Sequence, residues 1–251
     1  MNDQHHNGMN QQVALTRQAL KTPRAAAVAG IIFAVLFTTS IVLIRLAIPE
    51  DLRGANTAAW LQGNTATISL ALTLVPFAGI AFLWFMGVVR DRLGTLEDRF
   101  FSTVFFGGGL LFLAMMFASA AIAGGILASY AIAAETLMKS GVVSFERAVM
   151  YTITNVYAIR MAGVFMLSLG TIWIRTRVMP RVFVVLTYAL ALLLLVSSNL
   201  TLWLILVFPA WVLLISMFTL VVSLRGEQAQ AVIYQDKNAV FQITCHAAWR
   251  F

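Results

Sequence analysis

Long apolar runs alternate along this chain with short charged strips, and the runs have the length of membrane spans rather than of core helices. A helix crossing ~30 Å of hydrocarbon needs about 20 apolar residues. Residues 25 to 48 meet that length, with Thr22 placed to cap the helix, Pro23 in the first position where its missing N–H costs nothing, and Pro49 ending it. Residues 68 to 89 form a second run. The third, residues 100 to 134, holds 35 uncharged positions, so it must tilt or project from the bilayer. A fourth covers residues 148 to 174. Residues 182 to 224 then give 43 positions without a charge, enough for two spans joined by a tight turn at Ser197, Ser198 and Asn199. The pattern predicts an all-α, polytopic membrane bundle of six helices over residues 22 to 225. Polar tails flank it at 1 to 21 and 226 to 251.

The positive residues orient these spans. With the N-terminus in the cytoplasm, twelve of the seventeen Lys and Arg fall inside: Arg17, Lys21, Arg24, Arg90, Arg92, Arg99, Arg175, Arg177, Arg181, Arg225, Lys237 and Arg250. Three fall outside (Arg53, Lys139 and Arg147), while Arg45 and Arg160 lie within spans. Positive residues stay on the cytoplasmic side, so both termini are expected there. The aromatic residues agree, with Trp84, Phe100 and Trp173 near the inner boundary and Trp60, Tyr130, Tyr151 and Trp203 near the outer one. Residues 1 to 21 read as disordered. Residues 231 to 235 and 239 to 243 flank Asp236, Lys237 and Asn238 as a hairpin would, although a frayed tail is the plainer reading, because two strands alone are marginal in water.

Composition then narrows the chemistry. Apolar residues make up 61% of the chain and charged residues 11%, which excludes a soluble domain of the usual kind. The net charge of +7 resides in strips between spans, not on one solvated face, so no nucleic-acid partner is implied. The lone Cys245 forms no intramolecular disulfide and reads as an inert thiol. The first apolar run is about twice the length of a signal h-region and reads as a retained helix. His5, His6 and His246 all lie in tails, so no haem or metal centre is expected inside the fold. No Asp or Glu falls inside a span, which removes the carboxylate that ion-coupled carriers use. Gly107, Gly108 and Gly109 lie in an apolar helix and form no phosphate loop, so ATP-driven work is excluded for this chain alone. The sequon at Asn199 lies too near the bilayer to be glycosylated.

Two strips resemble a known pattern: Pro23-Arg24-Ala25-Ala26-Ala27-Val28-Ala29-Gly30, and Met179-Pro180-Arg181-Val182-Phe183-Val184-Val185-Leu186. The pattern is similar to that of a family of uncharacterised bacterial multi-span membrane proteins, grouped as a domain of unknown function. The resemblance implies a fold and a bacterial plasma-membrane location over most of residues 22 to 224. It carries no catalytic or binding residues. Within the chain, Ala78-Gly79-Ile80 precedes Arg90-Asp91-Arg92 much as Ala162-Gly163-Val164 precedes Arg175-Thr176-Arg177, which is a repeat of helical hairpins or the ordinary basic end of a helix.

The positive signal is Arg160, thirteen residues from Arg147 and fifteen from Arg175, near mid-bilayer. A guanidinium there costs about 3 kcal/mol or more unless it is solvated. Asn155 and Tyr157 add polar groups on the same helix. Pro76 and Pro209 each remove a helical hydrogen bond, freeing the carbonyls of Leu72 and Ile205 to accept from Arg160. Arg160 is then structural, or lines a wet pocket for an anionic solute or headgroup, or pairs with a carboxylate of another subunit. Arg45, one turn from the outer end of its helix, is expected to snorkel. Ala120, Gly124 and Ala128 form a stripe, with Ala121, Gly125 and Ser129 beside it, that suits close helix packing inside the chain or in a homodimer. Met115 and Met116 read as core filler.

These readings converge on a membrane protein without catalytic machinery, cofactor or metal. The leading expectation is an accessory subunit or a lipid-binding scaffold, with membrane lipids and a partner subunit as its contacts. The alternative is an uncoupled channel or transporter-like site for a small anion, centred on Arg160.

Overall fold

A computed structural model of the chain describes residues 3–47, 57–93, 99–139, 141–196 and 203–225, and among these every regular element is a helix. The order is α1 (Asp3–Ala47), α2 (Thr57–Leu93), α3 (Arg99–Lys139), α4 (Val142–Thr176), α5 (Arg181–Val196) and α6 (Leu204–Arg225). Five of them, all but α5, carry stretches long and apolar enough to cross a membrane. The 16 residues of α5 reach about 24 Å at 1.5 Å per residue, short of a ~30 Å hydrocarbon core. The turn expected at Ser197 to Asn199, the C-terminal hairpin, His246 and Cys245 lie outside the described residues.

α1 is continuous from Asp3, so Pro23 stands inside the helix and the first 21 residues, expected to be disordered, are helical from Asp3 onward. The physical reason is propagation. Gln11, Gln12, Ala14, Leu15, Arg17, Gln18, Ala19 and Leu20 are good helix formers, and a membrane helix already formed removes the cost of nucleation. The 41 residues of α3 reach about 60 Å, twice a bilayer core, as its long uncharged run required. α4 starts at Val142, earlier than expected, behind Gly141, whose φ of 71° is a left-handed conformation that glycine adopts without steric cost. It ends at Arg177, also left-handed at φ 53°, just before Pro180.

The centre of the bundle is aromatic. Phe33 and Phe37 of α1, Phe82 of α2, Phe112 of α3, Phe165 of α4 and Phe208 and Trp211 of α6 are all buried. Phe82 is the hub, with ring centroids 4.6 Å from Phe33, 5.3 Å from Phe165, 5.6 Å from Phe208 and 5.7 Å from Phe112. Inside a membrane, lipid is as apolar as these rings, so the gain lies in van der Waals packing and edge-to-face geometry, not in escape from water. Met116 is in the core and Met115 packs against it, as expected of filler. Trp173 is buried against the bundle, its ring 6.0 Å from that of Trp211.

Small residues set the closest approaches. A Cβ on Gly163 would meet the backbone oxygen of Ala191 at 3.1 Å, and one on Gly108 would meet the backbone nitrogen of Phe165 at 3.3 Å. These contacts bring α4 against α5 and α3 against α4. The stripe Ala120, Gly124, Ala128 is no single seam. Ala120 borders a cavity, Gly124 faces Leu72 of α2, and Ala128 is exposed. α5 is tied in by the Trp211 indole, which donates to Thr187 Oγ1 at 2.9 Å, and by Phe183 against Phe218 at 4.4 Å.

Candidate functional site

The polar chemistry gathers at the end of the bundle where α1 finishes and α4 and α6 begin. Its organiser is a local change of helix type. Residues Ile153–Ala158 of α4 form a π-helical turn, which inserts one extra residue per turn and re-aims the side chains it carries. Thr154 and Asn155 are thereby buried within the bundle. Thr154 Oγ1 lies 2.9 Å from Ser119 Oγ of α3, and the same Ser119 hydroxyl donates to the carbonyl of Met150 at 3.4 Å. Asn155 Nδ2 donates to the carbonyl of Tyr151 at 3.1 Å. Side chains therefore supply donors to the carbonyls of the turn that leads into the π segment, where the regular ladder changes register.

Arg45 of α1 closes the cluster. Its Nη2 donates to Asn155 Oδ1 at 3.3 Å, and its guanidinium carbon lies 5.6 Å from the centre of the Tyr151 ring. Arg45 therefore meets two groups of α4, the Asn155 amide oxygen in the π turn and the face of the Tyr151 ring in the turn before it. A cavity of about 120 Å³ opens here, bordered by Arg45, Arg147, Ser119, Tyr151, Asn155 and Trp203 among others. At ~30 Å³ per water it has room for about four waters, well under the ~300 Å³ of a drug-sized pocket. Among the described residues no Asp or Glu lines it.

Of the five residues singled out from sequence, only Asn155 borders this cavity. Arg160 is half-buried further along α4, and its Nη1 donates to the carbonyl of Val156, four residues back and inside the π segment, at 2.6 Å. Tyr157 is exposed. Pro76 is exposed on α2, next to Val75, which lines the cavity. One residue before Leu72, the carbonyl of Ala71 accepts from the buried Ser40 hydroxyl of α1 at 2.7 Å, so the proline-disturbed stretch of α2 is supported from α1. Pro209 is buried, three positions into the α-helical run 207–225 and after a single 3-10 turn at Leu204–Leu206. In a first turn its missing N–H costs little, so Pro209 starts a helix where the sequence suggested a break.

The missed residues are Arg45, Arg147 and Ser119. The signal was there: Arg45 and Arg147 fall at the same end once the spans alternate. At the opposite end the basic residues pair with rings: Arg90 lies 5.1 Å from the Phe106 centroid and Arg175 4.7 Å from Phe101. Among the described residues no group of three or more His, Cys, Asp or Glu is placed to hold a metal ion. No protein-family model matches this chain, and neither the curated proteins nor the solved structures compared with it give a match.

Proposed function

We propose that this chain is a non-enzymatic membrane module, an accessory subunit or lipid-binding scaffold, with six spans and both termini on the cytoplasmic face of a bacterial plasma membrane. One observation carries the reading: the bundle is sealed in its middle by the rings around Phe82, Phe112 and Phe165, each fully buried, while its outer faces are apolar. Phe77, Trp84, Val182, Val185 and Val196 are exposed, which suits contact with lipid or with another membrane protein and not with water. In this reading α5 crosses by local thinning of the bilayer. The test is native mass spectrometry of the full chain released from its membrane in a mild detergent. A stoichiometric lipid or protein partner is expected. A bare monomer in every detergent tried would remove the proposal.

A second reading, an uncoupled site or route for a small anion centred on Arg160, rests on that guanidinium lying deep in α4 beside the π turn. Such a route has to pass the aromatic centre. Liposomes holding the protein are therefore expected to show no chloride, nitrate or phosphate flux above empty liposomes. Flux abolished by Arg160→Ala would reverse the ranking of the two.

A further inference from the structure

The hairpin of α4 and α5 is closed along its middle and open toward its loop. A Cβ on Gly163 would meet the Ala191 carbonyl oxygen at 3.1 Å, one on Gly170 would meet Thr187 Cγ2 at 3.4 Å, and the Thr171 and Tyr188 hydroxyls lie 2.7 Å apart. Nearer the loop the two helices leave a cavity of about 560 Å³. Its walls include Trp173 and Ile174 at the end of α4 and Val184 and Val185 at the start of α5, with Arg177 and Arg181 at the loop end. That volume falls within the ~300–1,000 Å³ of small-molecule sites. Ile174 and Val185 are exposed as well as lining it, so the cavity opens onto the surroundings of the bundle.

The occupant follows from the lining and the depth. Water needs about 2–4 polar partners per molecule, which walls of Ile and Val do not offer, whereas an acyl chain needs none. Thr176 closes the apolar span of α4 and Arg181 opens α5, so the two arginines stand where the spans meet their boundary and the apolar walls lie on the membrane side. From Arg181 to Thr187, α5 rises about 9 Å, a depth that suits the part of a lipid chain nearest its headgroup. A basic helix end does not by itself put a guanidinium here, since Arg175 lies instead over the Phe101 ring at 4.7 Å. The planar fork of arginine matches the oxygens of a phosphate. Each guanidinium has five N–H donors, so a phosphate fits beside any carboxylate that the same arginine meets.

Resting on the membrane-module reading above, we propose that this cavity holds one membrane phospholipid, its acyl chain against Ile174, Val184 and Val185 and its phosphate on Arg177 and Arg181. The full chain in mild detergent would be titrated with phosphatidylglycerol and, separately, with diacylglycerol of the same chains, which lacks the phosphate. Bound lipid is read by native mass spectrometry, and folding without added lipid by circular dichroism. The variants are Arg177→Gln combined with Arg181→Gln, Val185→Trp to fill the apolar part from an exposed position, and Arg90→Gln, at the same end of the bundle but over the Phe106 ring, as a control.

Wild-type protein is expected to bind one phosphatidylglycerol about tenfold more tightly than diacylglycerol. The double arginine variant should lose that difference, Val185→Trp should weaken both lipids, and Arg90→Gln should change neither. Equal binding of the two lipids by wild type would overturn the phosphate contact and leave these arginines to a partner within the protein. Binding at wild-type strength by both the double variant and Val185→Trp would overturn the site while leaving the membrane-module reading intact, as would a chain that retains a protein partner and no lipid. A bare monomer in every detergent would remove both. Should the double variant misfold, Arg177→Lys with Arg181→Lys keeps the charges without the forks, and is expected to narrow the difference between the lipids without abolishing it.

Discussion

Around Phe82 the bundle is filled by rings from α1, α2, α3, α4 and α6, and around Asn155, on the same α4, it is left open and lined with hydroxyls, an amide and two arginines. The first region is mostly apolar, and the Trp211 indole in it is satisfied by Thr187 Oγ1. In the second, each polar group is buried only as far as a partner reaches it: Ser119 serves Thr154 and the Met150 carbonyl, Asn155 serves Arg45 and the Tyr151 carbonyl. The change from one to the other happens within α4, over the π turn at Ile153–Ala158. From its last residue, Ala158, onward, Ile159, Ala162, Phe165 and Met166 return to the apolar core. A local alteration of helix geometry thus divides the molecule into a part packed by rings and a part that carries buried polar groups.

If that division is right, the largest losses of stability come from the aromatic centre. Phe82→Ala is expected to cost about 3 kcal/mol in denaturant unfolding from detergent, toward the low end of the usual Phe→Ala range because transfer to lipid adds nothing. Close backbone approaches come next. Gly163→Val would drive a side chain into the carbonyl of Ala191, and about 2 kcal/mol is expected in the same assay, with α5 loosened first in hydrogen exchange.

The polar end should respond more weakly and in a coupled way. A double-mutant cycle on Arg45→Gln and Asn155→Leu is expected to give a coupling near 1 kcal/mol, since each single change leaves the other group without the bond recorded between them. Zero coupling would mean that the two side chains act separately. Smallest of all, Thr187→Val removes the acceptor of the Trp211 indole and should cost about 0.6 kcal/mol, the average for hydrogen bonds between membrane helices.

The helices themselves were largely legible from the spacing of apolar residues, because a bilayer imposes a length that composition alone reveals. Where reading fell short, the cause was a contact between distant parts of the chain or a feature without a compositional mark. A π turn looks like any other run of Thr, Asn, Val and Tyr. Arg45 and Asn155 are 110 positions apart, so only the fold could show that this arginine bonds to that amide. Arg160 drew attention because a charge at mid-span is conspicuous, yet the carbonyl recorded with it belongs to its own helix. Pro209 misled for a related reason: a proline inside a 43-residue apolar run looks like a break unless the start of the helix is known.

The measurement that bears most directly on the contrast between the two regions is thiol accessibility on either side of the π turn. Ser119→Cys and Ala162→Cys, each in a Cys245→Ala background, would be exposed to a small charged maleimide from each face of the membrane in turn. Labelling of Ser119→Cys from one face only, with Ala162→Cys protected from both, is the expected result. Protection of both positions from both faces, in protein shown to be folded, would contradict a wet cavity at this end of the bundle.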